Sequence, residues 1–381
     1  MTSSTAALDA AQPEPTLAAW RGRFVELLAV GGATLFLFPF AWLCRHAFGL
    51  DSAELAFGFV TFHAASVIND PHFAVTYVLF YKDVKRRALG AAFTPTQRLR
   101  YLVVGLLVPL VLVAWAAFAL VTRSAATMGW MIQLMFFMVG WHYVKQGFGV
   151  LTVLSARRGV RFTGLERVVI LTHCFTGWAY AWASPADPGR ALEEKGVVYT
   201  SLAHPPGLER ITQIAFFLST IPLIVVLVRK WRTEGRLPPL APLCGLLVTV
   251  WLWTVYSGID PLMKYVIPAL HSIQYFYFVG LLERNKARAG EGPPSFGIPA
   301  RVRLGFLAVT AVGLGWLLLR GAPSFLDAIL VSPSARRLET MDDLGPTPFL
   351  AALYVFVNIH HYFMDSVIWR RDNPETRYLL G

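Results

Sequence analysis

The chain has 381 residues, of which 55% are hydrophobic and only 15% are charged, and its mean hydropathy is +0.52. Soluble domains usually carry about a quarter charged residues, so this composition excludes an ordinary soluble protein and indicates an integral membrane protein. The net charge of +11 comes from Lys and Arg scattered over polar loops. That distribution suits contact with anionic lipid headgroups and gives no support to nucleic-acid binding.

The N-terminal tail, residues 1–22, begins with a small, polar and acidic stretch over residues 1–19 that lacks the basic region and cleavage site of a signal peptide. We expect a disordered tail there. Ten apolar runs follow, each long enough to cross about 30 Å of hydrocarbon as a helix. They cover residues 24–44, 55–81, 101–122, 128–155, 167–184, 211–229, 239–258, 261–283, 304–320 and 347–369. The sequence therefore predicts an all-α, polytopic integral membrane helix bundle with about ten transmembrane helices, forming one domain over residues 23–370.

The basic residues in the loops predict an orientation for this bundle. Lys and Arg collect in the loops that follow the even-numbered runs, while the opposite loops are short or of mixed charge. Since positive loops stay on the cytoplasmic side, we expect both termini in the cytoplasm, with residues 371–381 as a cytoplasmic tail. The lack of a presequence and the compact loops favour a bacterial inner membrane.

Four histidines lie at one depth in four of these runs. Each is roughly 15–22 Å from the expected cytoplasmic end, at about 1.5 Å per helical residue. They are His72, His142, His271 and His360. The four runs are all even-numbered and therefore parallel, so the connections between neighbouring helices do not impose the shared level. An ionisable group at such a depth costs at least about 2.5 kcal/mol on insertion scales, which makes it a candidate functional residue.

Each of these histidines has hydrogen-bonding side chains close by in sequence, most of them at helical spacing. A metal-bound imidazole usually donates its second N–H to such a partner. The expected supporting residues are Asn69, Asp70, Lys145, Gln146, Gln274 and Asn358. His361 is a further candidate ligand, and Asp365 and Tyr275 are the candidate catalytic side chains. Lys145 is expected to pair with Asp70 or Asp365.

The other polar residues of the runs carry weaker signals. His63 could bridge helices or line an access path, and His173 could be an accessory ligand or an interfacial residue, whereas His46 and His204 fall in outer loops. Lys264 is expected to extend toward the headgroups. A lone intramembrane histidine often does no more than bond a neighbouring helix, whereas the shared depth of four histidines favours a single site.

The donor types narrow the choice of metal. Imidazole with carboxylate suits iron, copper, zinc or manganese, and the three cysteines lie in separate runs without a thiolate motif. Non-haem iron is the expected cofactor, with zinc as the alternative for a hydrolytic reaction. A single bis-histidine haem is also open, although it leaves two of the four histidines without a role.

The segments "DPHFAVTY", "WHYVKQ", "LHSIQYF" and "HHYFMDSVIWR" resemble the motif series of the Brp/Blh family of membrane β-carotene dioxygenases. The shared features are a His-Ser pair, here His271 and Ser272, and a histidine five residues before an aspartate, here His360 and Asp365. The family's His-Ser motif continues to a second histidine four residues on, where this chain has Tyr275.

The resemblance implies an iron centre in which His72 and His142 take the first two positions, with O2 chemistry on a carotenoid-like substrate. We therefore expect an iron-dependent membrane oxygenase, with O2 and a lipid or polyene from the bilayer as partners and an electron donor that the sequence does not name. A lipid desaturase or hydroxylase is the nearest alternative, although "HHYFMD" alone approaches the HxxHH boxes of those enzymes. A proton-coupled transporter using the intramembrane His, Lys and Asp residues, and a structural protein fastened by polar residues, are the other readings.

Overall fold

Most of the chain folds into α-helices. The structure, a computed structural model, describes residues 17–290, 298–331 and 344–380. The α-helices in these ranges are α1 (Leu17–Leu27), α2 (Thr34–Phe48), α3 (Leu50–Ala65), α4 (Asn69–Tyr81), α5 (Val84–Leu89), α6 (Pro95–Leu102), α7 (Val108–Val121), α8 (Ala125–Arg157), α9 (Gly164–Ala183), α10 (Leu208–Glu234), α11 (Leu240–Leu247), α12 (Met263–Arg288), α13 (Ala300–Trp316), α14 (Ala322–Leu330) and α15 (Pro348–Ile368). The all-α prediction is confirmed for this part of the chain. Residues 17–22 belong to α1, and the rest of the expected N-terminal tail, residues 1–16, lies outside the described residues.

Several helices are suited to a membrane. Four are long and apolar enough to cross one: Pro95–Val121, Leu208–Glu234, Met263–Arg288 and Ala300–Leu330. A fifth span results if Trp20–Gly32 and Thr34–Phe48, which meet at 58°, count as one. Large apolar side chains face outward on these helices, which is costly in water and favourable in lipid. The fold is that of a membrane protein, but the expected count of about ten spans is not supported.

The other five apolar runs fall short of a span, and the run at 239–258 does so because its helix, Leu240–Val255, is too short. The run expected at 55–81 is two helices, α3 of 16 residues and α4 of 13, separated by a turn at residues 66–68. Three others, α8, α9 and α15, have the length of a span, but polar side chains interrupt their apolar sequence. Hydrophobicity averaged along a sequence does not register either the turn or the specific side on which the polar groups lie.

Four π-helical segments connect or continue the α-helices. They are Leu28–Gly32, Val103–Leu107, Val248–Val255 and Leu317–Gly321. A π-turn widens the helix and frees carbonyl groups for other donors. Two of these carbonyls, those of Val30 and Val104, accept hydrogen bonds from side chains of α12 and α15, respectively. The π-segments therefore help to fix the central helices.

The loop between α9 and α10 contains a short β-hairpin that the sequence analysis did not predict. Strands β1 (Ala191–Glu194) and β2 (Val197–Thr200) pair antiparallel, with Glu194 opposite Val197. Lys195 and Gly196 form the two-residue turn, and both have positive φ, of 51° and 86°. This is the backbone that a twisted two-residue hairpin requires, and Gly196 adopts it without strain.

The central bundle is formed by α4, α8, α12 and α15. The longest of them is α8, with 33 residues, and it packs against α15 on one side and α9 and α11 on others. Helix α4 packs against α13 and α15. Seventeen residues of α8 and fourteen of α15 are buried, so these helices build the core, while α7, α10 and α13 present apolar outer faces.

The expected C-terminal tail instead docks against the bundle as a 3₁₀ helix, Pro374–Leu379. Glu375 accepts hydrogen bonds from the guanidinium of Arg87 (Nη2 at 2.7 Å) and from Lys286 Nζ (3.2 Å). Burial raises the pKa of Glu375, but the charges of Arg87 and Lys286 outweigh burial and lower it to about 2. Because this pKa is below the ordinary value of 4.5, the ion pairs stabilise docking at neutral pH and are lost as pH falls from about 4.5 toward 2.

Replacing Glu375 with Gln should loosen the C-terminal helix. Loss of the charge-assisted contacts costs about 2 kcal/mol, which raises the rate of trypsin cleavage after Arg377 by about 30-fold if cleavage follows local opening. Mass spectrometry of the digest provides the readout. The matched control is Asp372→Asn, whose partners Arg100 and Arg370 are 31% and 47% exposed, so that it should cost under about 1 kcal/mol. Equal cleavage rates in the two variants would contradict this account of the docking.

Candidate metal centre

Four imidazoles from four different helices converge at the centre of the bundle. His72 comes from α4, His142 from α8, His271 from α12 and His361 from α15. If one ring nitrogen is taken from each imidazole, the four nitrogens all lie within 4.8 Å of one another. His142 Nε2 and His271 Nε2 lie 3.1 Å apart. Two nitrogens bound tetrahedrally to one ion at about 2.1 Å lie about 3.4 Å apart, so the convergence fits a single metal ion.

The ring nitrogens of this cluster are poorly satisfied by the protein. All four imidazoles are at most 4% exposed. Both nitrogens of His72, both of His361 and Nδ1 of His271 are buried with no hydrogen-bond partner within the described residues. Leaving a buried polar atom unpaired costs about 1–3 kcal/mol, so the five atoms together cost at least about 5 kcal/mol. That is a large share of a typical net stability of about 5–15 kcal/mol. A bound metal ion would remove much of this cost, and the residues present therefore fit a metal.

A carboxylate faces the same cluster. Asp365 Oδ2 lies 3.4 Å from His361 Nε2 and 3.7 Å from His142 Nε2. Its other oxygen, Oδ1, accepts hydrogen bonds from Tyr275 Oη (3.2 Å) and Trp369 Nε1 (3.2 Å). Oδ1 is thus held by the protein while Oδ2 points toward the imidazoles, where it can bind an ion or a ligated water.

The hydroxyls behind Asp365 form a short chain. Thr76 Oγ1 lies 2.6 Å from Tyr275 Oη and 3.3 Å from Asp365 Oδ1. Tyr275 therefore lies beside the cluster as expected, and it acts through Asp365. Thr76 and Trp369 were not predicted as site residues, although Trp369 is four residues after Asp365, on the same helical side.

His360, expected to be a ligand, does not join the four. Its Nδ1 lies 3.0 Å from Tyr77 Oη and its Nε2 lies 2.9 Å from the carbonyl oxygen of Val104, so both ring nitrogens are engaged elsewhere. Neighbouring residues of an α-helix point about 100° apart, and depth in the membrane cannot tell them apart. The position expected for His360 is taken by His361.

The expected supporting residues fall into two groups, of which the first lies near His271. Gln146 Nε2 donates to Gln274 Oε1 (2.8 Å), and Gln274 Nε2 donates to the carbonyl of Val30 (2.6 Å). Asn69 Oδ1 accepts from Ser272 Oγ at 3.1 Å, which joins α4 to α12 next to the cluster. These side chains fix the helices that carry the imidazoles and do not bond the rings themselves.

The second group lies further from the rings or has other partners. Asn358 Oδ1 accepts from the hydroxyl of Tyr362, whose ring centroid is 4.8 Å from that of His142. Asp70 is buried and its Oδ2 accepts from Arg320 Nε at 2.9 Å. Arg320 was missed because it lies at the edge of an apolar run, where a basic residue is expected for topology alone.

Lys145 does not have the expected partners. Its side chain is exposed, with Nζ 6.0 Å from the ring centroid of Phe148, whereas Asp70 is paired with Arg320 and Asp365 faces the imidazoles. The expected ion pair of Lys145 with Asp70 or Asp365 is therefore wrong.

The remaining histidines lie apart from the cluster. His173 is buried, its Nδ1 lies 3.0 Å from Ser219 Oγ, and its ring stacks on Phe216, which makes it a bridge between α9 and α10. His63 and His46 are exposed. The ring of His204 contacts that of Trp182 at 4.3 Å between centroids.

Comparisons with models of protein families, with curated proteins and with solved structures find no significant match to this chain. Functional inference therefore depends on the geometry of the cluster.

The adjacent histidines of α15 provide a direct test of this arrangement. His361→Ala removes one of the four converging rings and should lower the metal retained after purification by at least about tenfold, as measured by inductively coupled plasma mass spectrometry. His360→Ala, its matched control, loses bonds to Tyr77 and Val104, costs about 1–3 kcal/mol of stability and should keep the metal. Loss of metal in His360→Ala with retention in His361→Ala would contradict the geometry.

Proposed function

We propose that the chain is an integral membrane, histidine-ligated non-haem iron oxygenase that acts on a lipidic or polyene substrate. The observation that carries the proposal is the convergence of four buried imidazoles, with five unpaired ring nitrogens, beside an oriented carboxylate. Four nitrogen donors and one oxygen donor suit iron, and their number exceeds what a closed tetrahedral zinc site uses.

The packing of the rings argues against haem. A haem iron bound by two histidines needs a flat macrocycle about 10 Å wide between them. All four donor nitrogens here lie within 4.8 Å of one another, so the other two imidazoles would occupy the space of that macrocycle. A free metal ion is therefore favoured over haem.

The surroundings of the cluster suit chemistry on an apolar substrate. An aromatic ring lies beside each of the four imidazoles and helps to keep water away from it. The pairs, with centroid distances, are Tyr275 on His72 (4.5 Å), Tyr143 on His271 (4.5 Å), Tyr362 on His142 (4.8 Å) and Phe73 on His361 (5.1 Å). The outer faces of the bundle are apolar, which suits a substrate that is dissolved in the bilayer.

The protein side chains have defined tasks in such a reaction. When bound, iron would supply the activation of O2 that no amino-acid side chain provides. Asp365, held at Oδ1 by Tyr275 and Trp369, presents Oδ2 to the imidazoles and can hold a proton there. Tyr275 and Thr76 share a hydrogen bond of 2.6 Å, through which a proton can pass to or from Asp365.

The transporter alternative receives less support from the same geometry. Asp70 pairs with Arg320, and Lys264 Nζ lies 2.7 Å from Glu54 Oε1 with its side chain 58% exposed. Lys264 thus extends outward, as its position in the sequence indicates. These charges are neutralised in pairs away from the four histidines and do not form a relay with them.

The experiment that tests the proposal is iron binding and O2 reactivity of the protein purified in a neutral detergent. We expect about one iron per chain, no haem absorption, and a high-spin ferrous nitrosyl signal in electron paramagnetic resonance after reduction and addition of nitric oxide. His271→Ala should abolish the signal, and the matched control His46→Ala, which changes an exposed histidine, should leave it unchanged. Stoichiometric zinc without iron binding would replace the oxygenase proposal with hydrolytic chemistry, and a protein that binds neither metal would overturn both.

A further inference from the structure

A group of cations lies at the face of α8 next to the metal cluster. Lys145 Nζ is 6.0 Å and Arg167 Cζ is 5.2 Å from the ring centroid of Phe148. Arg370 and Arg371 follow the end of α15, which packs on α8, and this brings their charges near those of Lys145 and Arg167. We call this the cation groove; its residues are Lys145, Phe148, Gly149, Arg167, Arg370 and Arg371.

Several basic side chains near the same end of the bundle are held by acids. Lys230, for example, is held by Glu166 and Glu234, and Arg158 by Glu26. In contrast, Lys145, Arg167 and Arg371 of the groove have no carboxylate within ion-pair distance among residues 17–290, 298–331 and 344–380. Arg370 alone has an acidic neighbour, Asp372. Like charges brought together without acids repel one another unless an anion lies between them.

The surface between these cations has room for a ligand. Helices α9 and α15 both pack on α8, and they supply the cations on the two sides of its exposed face. Gly149 lies on that face one turn beyond Lys145, and a Cβ added to it would meet nothing within 4 Å. The glycine thus leaves an open strip along α8 where a side chain would otherwise stand.

The groove leads toward the metal cluster. Lys145 is three residues after His142 on α8, which is roughly 4.5 Å along the helix axis. Arg370 follows His361 by nine residues, or roughly 13 Å. A molecule whose charged end rests among these cations can therefore extend an apolar chain of ordinary lipid length to the level of the imidazoles.

We propose that the cation groove binds the carboxylate or phosphate headgroup of a lipid whose hydrocarbon chain is the substrate of the metal centre. The proposal rests on the oxygenase function proposed above and narrows its substrate to an anionic amphiphile. Charge complementarity favours an anion, since Lys and Arg supply charge-assisted hydrogen bonds to either headgroup. An acidic partner protein is disfavoured because Lys145 lies 12 residues, or roughly 18 Å, before the end of α8, where a lipid reaches more readily than a folded domain.

Direct binding of tritiated palmitate and of tritiated hexadecanol to the detergent-purified protein, measured by scintillation proximity, tests the proposal. The two probes have the same chain length and differ in the charge of the headgroup. We expect palmitate to bind about tenfold more tightly than hexadecanol, and Lys145→Gln to weaken palmitate by about tenfold while leaving hexadecanol unchanged. Arg232→Gln, an exposed cation on α10 outside the groove, should change either affinity less than about twofold.

Two further variants separate the groove from the metal centre. Gly149→Leu adds a side chain at a position where its Cβ meets nothing within 4 Å, so it should occupy the open strip, weaken both probes and leave the metal content unchanged. His271→Ala should lose the metal and still bind palmitate, because the groove does not depend on the ion. If the protein does not bind iron but still binds palmitate, the oxygenase proposal is wrong and the proposal of headgroup binding in the groove stands. Equal affinity for palmitate and hexadecanol, or equal losses in Lys145→Gln and Arg232→Gln, would overturn the groove.

Discussion

The centre of this protein depends on one constraint: five imidazole nitrogens of the buried four-histidine cluster have no hydrogen-bond partner within the described residues. Such atoms are costly in an apolar bundle, and adding hydrogen-bond donors would not satisfy all of them because neutral imidazole carries one donor and one acceptor. A shared cation satisfies several acceptors at once. The buried location of the histidines, the carboxylate aimed at them and the aromatic rings around them would all help to hold such an ion away from water.

The bundle around this cluster is rigid where the imidazoles are attached. Gln274 reaches the carbonyl of Val30, and His360 reaches that of Val104, both of which lie in π-helical segments. Each bond ties a central helix to a neighbour through a carbonyl that a regular α-helix would keep for itself. His360 therefore has a structural role beside the site: it ties α15 to the Val104 carbonyl and to Tyr77. At the outer edge of the same bundle, the cation groove offers a place where a polar headgroup can stay near water while its chain enters apolar surroundings.

The sequence predicts the depth of these residues better than their direction. His72, His142 and His271 were found because helical rise converts a count of residues into a level in the membrane. The same count chose His360 over His361, since two adjacent residues share a level and differ only in rotation. Lys145 was assigned a buried acidic partner for the same reason, although it faces outward. The number of spans was too high because averaged hydropathy does not detect the turn between α3 and α4 or the polar sides of α8, α9 and α15. The hairpin at Lys195 and Gly196 was missed because it has no apolar pattern to reveal it. Partners that come from distant parts of the chain, such as Arg320 for Asp70, depend on the tertiary fold.

X-ray absorption spectroscopy at the iron edge of the purified, iron-loaded protein is the most direct test of the central claim, that one ion is held by the four buried histidines. The structure predicts about five nitrogen and oxygen neighbours at about 2.0–2.2 Å, with the outer-shell scattering of several imidazole rings. Removal of His361 should reduce the imidazole contribution, while removal of His360 should leave it unchanged. A first shell made of sulfur, or one made of oxygen without imidazole scattering, would contradict the account.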